Sequence, residues 1–478
     1  MITADEMAVV DANAEALGVP RKQLMESSGN AVARVVRELT DEGDRVAFVC
    51  GRGNNGGDAF VTARFLDDRE VTVHLLGRPE TISTDIAREN WDALVTAEYD
   101  VRTVSDSRAL DLGGPDLVVD AMLGTGVTGA LREPEATAAD AIGALDCPVV
   151  AVDVPSGVDA DTGEAAGVAV DADHVVTFHD MKPGLSNLDA EVTVADIGIP
   201  EAAELFVEAG DLQRLGRDPQ SHKGDHGEVL VVGGGPYTGA PALAAQAALR
   251  AGADLVRVAC PESVAREIQG YSENLIVRPF DADRLTPDVV DAVLALAADH
   301  DVTVFGPGLG SDDATLDAVE QFLFAYQGTA VVDADALQRV PDVETEATLL
   351  CTPHQGELRK MGGETDEDWR TRMDLVESFA ADLGHTLLVK GAYDVVSDGE
   401  TTRVNRTGNP GMTVGGTGDV LAGAAGALAC VLDPVDAAAL AAYANGTAGD
   451  RVVDRQGYGL VATDLVDELP AALRGEAE

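Results

Sequence analysis

From residue 45 onward, short β-branched runs alternate with Ala-rich stretches of helical periodicity, and the alternation restarts near residue 228. Strands of this kind, separated by helices and bounded by Gly-rich turns, form parallel sheets covered by helices on both faces. The pattern therefore predicts two doubly wound α/β domains. Expected strands in the first lie at 45–50, 71–76, 117–121, 149–152 and 174–178. Those of the second lie at 228–232, 255–259, 302–305, 330–332 and 386–389, with two short strands between 394 and 404. The length of 478 residues agrees with two or three domains at about 150 residues each. The polar, turn-rich segment 210–227 places the boundary between 212 and 213.

With 33 basic and 84 acidic residues the chain carries a formal charge of -51, spread along its whole length. Such a surface repels phosphate backbones and predicts no nucleic-acid partner. It resembles the acidic, lysine-poor surfaces of proteins from salt-loving archaea, where molar salt screens self-repulsion within about 3 Å. The longest apolar run, 420–432, stops at Asp433, too short for a membrane span. Residues 1–10 carry acids where a secretory signal would carry positive charge, so a cytoplasmic protein is expected. Cys50, Cys147, Cys260, Cys351 and Cys430 are widely spaced, which disfavours a zinc site or a disulfide framework.

The chemistry-bearing residues cluster after the expected strands. The first strand leads into Gly51-Arg52-Gly53-Asn54-Asn55-Gly56-Gly57-Asp58, which contains Gly-x-Gly-x-x-Gly. An ordinary dinucleotide fold would want an acid at the end of the second strand to hold a ribose, but Gly77-Arg78 stands there. Side-chain amides and a carboxylate also occupy positions where that motif needs only backbone. Asp120 with Gly124, Thr125, Gly126, Val127, Thr128, Gly129 and Ala130, then Asp153 with Pro155-Ser156-Gly157, and finally Lys182-Pro183-Gly184 follow three further strands. Loops at the carboxyl ends of strands in an open α/β sheet converge on one crevice. Taken alone, Asp-x-Pro-Ser-Gly would be an unremarked turn; four such loops in register predict a site.

This half resembles the NAD(P)HX epimerases, which interconvert the R and S forms of hydrated NADH and NADPH, over roughly residues 1–210, on a Rossmann-like fold. The resemblance implies dinucleotide contacts at Asn54, Asn55, Gly56, Gly57, Asp58, the 124–130 loop and Asp153. It also implies a potassium ion on Asn55, Asp120 and Ser156, an all-oxygen set suited to a hard cation. Epimerising a hydrated carbon needs a positioned acid–base group, and Asp153 is the expected one. Lys182 is expected to face the phosphates.

In the second half, Gly233-Gly234-Gly235-Pro236-Tyr237-Thr238-Gly239-Ala240, Gly306-Pro307-Gly308-Leu309-Gly310, Asp333-Ala334-Asp335-Ala336-Leu337 and Thr352-Pro353-His354-Gln355-Gly356-Glu357 again sit between strands and helices. Gly415-Gly416-Thr417-Gly418-Asp419 opens a helix of small residues. Glycines at a helix start turn backbone N–H groups toward an anion, and the helix dipole favours its charge. An acid immediately beyond that anion hole can take the proton from an attacking hydroxyl, which is what phosphoryl transfer requires. A Walker loop is absent.

These motifs, in this order, resemble the ribokinase-like fold and, within it, ADP- or ATP-dependent NAD(P)HX dehydratases, over residues 222–478. The resemblance implies substrate contacts at Ala240, Gly308 or Gly310, His354 and Asp419, with Asp419 as base. It places the adenine nucleotide on Lys390, Gly391, Ala392, Tyr393, Asp394 and Gly418, with ADP as donor and Mg2+ bridging the transferred phosphate. Val414-Gly415 and the 391–394 segment depart from the usual residues of that family. Taken together, the halves predict a bifunctional repair enzyme acting on NADHX and NADPHX, with a homo-oligomeric state expected. Alternatives are a ribokinase-like small-molecule kinase with a non-catalytic N-terminal domain, or a scaffold protein.

Overall fold

A computed structural model describes residues 1–126 and 129–475. The chain divides into two compact units, Met1–Ala203 and Glu204–Glu478. Each contains one twisted sheet flanked by helices.

The first unit has seven strands: β1 (Arg45–Cys50), β2 (Glu70–Leu76), β3 (Asp100–Val104), β4 (Leu117–Ala121), β5 (Val149–Val152), β6 (His174–Phe178) and β7 (Glu191–Ala195). They run in the order β3-β2-β1-β4-β5-β6-β7, all parallel. Because successive side chains point to opposite faces, Val46, Phe48 and Cys50 pack with the helices Ala4–Ala16, Arg21–Leu39 and Asn54–Arg64, whereas Ala47 and Val49 pack with Ala138 and Ile142 of Glu135–Gly143. Strand order reverses between β1 and β4, and a crevice opens there beyond their carboxyl ends.

The second unit continues with β8 (Glu228–Val232), β9 (Leu255–Pro261), β10 (Ile276–Phe280), β11 (Val302–Phe305), β12 (Thr329–Val332), β13 (Thr348–Cys351), β14 (Thr386–Val389), β15 (Asp394–Ser397) and β16 (Thr402–Asn405). Their order is β10-β9-β8-β11-β12-β13-β14-β15-β16, with only the last two pairings antiparallel. Order reverses here between β8 and β11.

Four strands lie outside the expected set. β3, β7 and β10 are sheet edges, and charged or Pro residues (Asp100, Arg102, Glu191, Arg278, Pro279) interrupt the apolar run that marks an interior strand. β13, Thr348–Cys351, is central but has Thr348 as its single β-branched residue, so it lacks the mark by which strands are read. The division between units also falls earlier than the expected 212/213. Val207 N–H donates to Val404 O at 3.0 Å, and Arg403 Nη2 lies 2.8 Å from the buried Asp211 carboxylate, so this segment is tied to β16. Gly and Pro marked the turns of the connecting segment but carried no sign of these partners.

The helix Thr417–Leu428 shows why its residues are small. A Cβ on Gly423 would lie 2.0 Å from Ala244 O on the helix Gly239–Ala251, and one on Gly426 would lie 2.3 Å from Val304 Cγ2 of β11. Gly423→Val is therefore expected to destabilise the second unit by about 3 kcal/mol, as overpacking against backbone does. Denaturant midpoints compared in molar salt check this; an unchanged midpoint would contradict the close helix contact.

Candidate active sites

The β1 and β4 loops meet so closely that their glycines act first in packing. A Cβ on Gly51 would sit 1.8 Å from Met122 O, and one on Gly56 would sit 2.2 Å from Gly51 O. Gly57 is packed against Met25. A cavity of about 690 Å³ opens beside these loops, lined by Asn54, Asn55, Asp58, Gly124, Thr125, Gly126, Asp153 and Lys182, together with Asp11 and Arg21. Gly56 and Gly57 are not among the lining residues. Gly129 borders a smaller cavity with Gly157 and Asp159, and Ala130 lies against Gly167. Val127 and Thr128 lie outside the described residues.

Asn55, Asp120 and Ser156 converge on the backbone of Leu123. Asn55 Nδ2 donates to Leu123 O at 2.9 Å, which turns its Oδ1 the other way, buried and without a hydrogen-bond partner. Leu123 N donates to Ser156 Oγ at 3.0 Å. Ser156 in turn donates to the fully buried Asp120 carboxylate through Oγ at 2.7 Å and N at 2.8 Å. A buried amide oxygen lacking a donor, on an asparagine tied to the same Leu123 backbone as Ser156 and through it to Asp120, suits a hard cation with oxygen ligands.

Asp153 occupies the left-handed backbone region at φ 66°, a strained conformation for a non-Gly residue. Thr177 Oγ1 donates to its Oδ1 at 3.0 Å, and Lys182 Nζ lies 3.2 Å from the same oxygen. The Lys182 ammonium is completely buried and also donates to Phe178 O at 2.7 Å and Asp180 O at 3.3 Å. It thus holds Asp153 and the β6 loop, and it also lines the cavity. Burial, reinforced by the charges of Asp153 and Asp11, pushes the Asp58 carboxyl well above its usual range.

In the second unit the helix Thr417–Leu428 begins at Gly416, whose φ of 99° requires glycine. Asp419 stands in its first turn, and burial, then the charge of Asp333, push its carboxyl up to about 7 against the opposing pull of Lys390. Lys390 Nζ is 3.1 Å from Asp333 Oδ1 and 3.9 Å from Glu357 Oε2, and it would be 3.4 Å from a Cβ on Gly418. Thr352 Oγ1 donates to Asp333 Oδ1 at 2.7 Å. An ammonium beside an open helix N-terminus, with a near-neutral carboxyl in its first turn, is equipped to hold an anionic group and take a proton next to it.

A cavity of about 750 Å³ is lined by His354, Lys390, Gly391, Ala392, Asp394, Thr417, Gly418 and Asn445, among others. His354 caps the helix Gln355–Lys360: its Nδ1 accepts from Gly356 N and Glu357 N, and its Nε2 lies 3.6 Å from Glu357 Oε1. Asp394 secures the loop, accepting from Gly391 N at 2.8 Å and Asn405 Nδ2 at 2.9 Å. Tyr393 stacks on Trp369 at 5.0 Å and is not part of the cavity lining. Ala240 and Gly308 adjoin each other at the β8/β11 reversal, outside that lining, and Gly310 packs on Pro236.

Sequence reasoning singled out the Asp333 and Thr352 strings without placing either residue in the site. Asp11 and Asn445 escaped it altogether, because a polar residue on a helix carries no mark of whether that face meets solvent or a cavity.

The family described as NAD(P)H-hydrate dehydratase matches residues 229–471, and the YjeF-related protein N-terminus matches residues 21–184. A bifunctional NAD(P)H-hydrate repair enzyme of Methanothermobacter thermautotrophicus is 44% identical, covering 98% of this chain and 94% of its own. The chain belongs to the bifunctional NAD(P)H-hydrate repair enzyme family. The family member of Archaeoglobus fulgidus is 42% identical over 99% of this chain and 98% of its own. The ADP/ATP-dependent NAD(P)H-hydrate dehydratase of Bacillus subtilis, co-crystallized with ATP/Mg2+, superposes with a TM-score of 0.50 at 28% identity, covering 57% of this chain and 99% of that one. A ribokinase-like superfamily protein of Enterococcus faecalis, at TM-score 0.51, 23% identity, 56% of this chain and 95% of that one, shares the fold. Likeness to repair enzymes across both halves sets aside a kinase with a passive N-terminal domain. Among the described residues no helix is long and apolar enough to cross a membrane.

Proposed function

We propose that the first unit epimerises R- and S-NAD(P)HX and the second dehydrates S-NAD(P)HX to NAD(P)H, with ADP as phosphoryl donor. The observation that carries the second step is Asp419 in the first turn of a helix whose open N-terminus lies against Lys390. Asp419 takes the proton of the C6 hydroxyl as that oxygen attacks the terminal phosphoryl group, and AMP departs. The C6–O bond then breaks with its electron pair leaving on phosphate, and loss of a C5 proton restores the ring double bond. A poor leaving group has become a good one. The amides of Gly416, Thr417 and Gly418 and the Lys390 ammonium hold the transferring phosphate, while Gly391, Ala392 and the loop secured by Asp394 hold the nucleotide.

Magnesium, when present, neutralises charge on the transferred phosphate. No group of three His, Cys, Asp or Glu side chains among the described residues could hold a metal ion. This donor set fits an ion carried mainly by the nucleotide's own oxygens. Asp333 and Glu357, beside Lys390, are the carboxylates available to it.

In the first unit Asn55, Asp120 and Ser156 would hold potassium, whose charge steadies the meeting of the β1 and β4 loops and favours an anionic dinucleotide. The unpartnered Asn55 Oδ1 supports this assignment. Chloride salts of sodium and potassium are expected to raise stability alike, by screening the -51 charge, whereas epimerisation is expected to be faster in potassium at equal ionic strength. Equal rates in the two salts would count against a selective ion site.

Incubating the protein with R- and S-NADHX, with and without ADP or ATP, tests the whole reading through recovery of nicotinamide absorbance. Nucleotide-dependent recovery from both epimers is expected. Recovery from S alone would remove the epimerase, and none from either would remove both activities.

A further inference from the structure

The epimerase cavity receives carboxyl groups from four separate elements: Asp11 from the helix Ala4–Ala16, Asp58 from the helix Asn54–Arg64, Glu135 from the helix Glu135–Gly143, and Asp153 from the end of β5. Their situations differ. Asp153 is held by Thr177 and Lys182. Asp58 is buried, and burial, with the charges of Asp153 and Asp11, holds its carboxyl well above its usual range. No hydrogen bond or ion pair with another described residue engages the carboxyl of Asp11 or of Glu135, and Asp11 lies near enough to Asp153 to feel its charge. Arg21, the cation that acts on Asp11 most, is itself paired with Glu15 at 3.1 Å. A carboxyl group open to a ligand cavity and unclaimed by the protein is available to a ligand.

Epimerisation has a symmetry that one acid–base group does not satisfy. The hydroxyl of the R epimer lies on one face of the ring carbon and that of the S epimer on the other. A reversible catalyst must protonate oxygen on the face it leaves and deprotonate water on the face it enters. We propose that Asp11 is the second acid–base residue of the epimerisation, serving the face of the hydrated ring that Asp153 does not. This inference rests on the epimerase reading of the first unit.

With the hydroxyl on the Asp11 side, the Asp11 carboxyl gives it a proton. The C6–O bond breaks with its electron pair on the departing water, and the ring nitrogen lone pair forms an N1=C6 iminium. Water on the opposite face then bonds to C6, the N1=C6 pair returns to nitrogen, and Asp153 takes the released proton. One water leaves, one enters, and nothing is oxidised or reduced; the reverse reaction exchanges the two carboxyl groups, and solvent resets their protons.

The electrostatics of Asp11 suit both roles. Burial foremost, with the charge of Asp153, pushes its carboxyl up to about 6 against the opposing pull of Arg21, Lys182 and His179; Asp58 faces it as well. Acid and base forms are therefore both accessible near neutrality.

The test uses the full-length protein and its Asp11→Asn, Asp11→Glu and Asp58→Asn variants, with epimer interconversion followed chromatographically without nucleotide from about pH 5 to about pH 8. Asp11→Asn is expected to lose at least about 10²-fold in kcat with KM changed by less than about threefold, and to lose the pH dependence centred near 6. Dehydration of S-NADHX should continue at the wild-type rate, and Asp11→Glu should recover part of the lost epimerisation. Wild-type kcat in Asp11→Asn, a loss confined to KM, no recovery in Asp11→Glu, or disappearance of the same pH dependence in Asp58→Asn would each overturn the assignment. An inactive wild-type epimerase would instead overturn the reading of the unit on which it rests.

Discussion

Asp419→Ala is expected to lower nucleotide-dependent dehydration of S-NADHX by at least about 10²-fold while R and S epimers still interconvert at the wild-type rate. The carboxyl group is placed to accept the hydroxyl proton, and the epimerase cavity lies within the other compact unit. The pH dependence follows from the same group. Burial and the Asp333 charge raise it to about 7, so as pH falls below that value the base form is depleted. Dehydratase kcat/KM should then fall about tenfold per pH unit, and it should level off above 7. Assays of dehydration across this range, with ADP saturating, check both statements. Near wild-type turnover in Asp419→Ala would remove the residue from the mechanism.

Asp153→Asn should produce the converse pattern, with epimerisation lowered by at least about 10²-fold and dehydration of S-NADHX retained. It carries a stability effect as well, because the Lys182 ammonium is fully buried and loses its one carboxylate partner, keeping the carbonyls of Phe178 and Asp180. Removing one member of a buried pair destabilises by about 3 kcal/mol. Thermal midpoints should fall accordingly, and Lys182→Met in the Asp153→Asn background should recover part of the loss, since no unpaired charge then remains. An epimerisation rate unchanged in Asp153→Asn would leave the strained backbone of this residue without a catalytic explanation.

Much of the architecture was legible from residue pattern alone because interior parallel strands are buried on both faces and therefore read as uninterrupted apolar runs. β1, β4, β5, β6, β8, β11 and β14 have the bounds that pattern predicts. The edge strands β3, β7 and β10 escaped it because one face meets solvent and accepts Asp, Glu or Arg. The Gly-rich strings were legible as sites, yet part of their glycine content answers a different demand. Gly51 and Gly56 are small because the β1 and β4 loops touch, and Gly423 is small because two helices do.

Local order along the chain was enough to establish two α/β units, the strand-end loops that line the two cavities, and an acid in the first turn of a helix opened by glycine. These depend on residues a few positions apart, where steric period and turn chemistry act directly. Pairings across long separations are of another kind. Lys390 with Asp333, Lys182 with Asp153, and Arg403 with Asp211 join residues from different strands and loops. Asp11 reaches the epimerase cavity from the opening helix. Which charge becomes buried beside which, and so which carboxyl is raised toward neutrality, is settled by the packing of the folded chain, because burial and Coulomb interaction depend on distance in space and not on spacing in sequence.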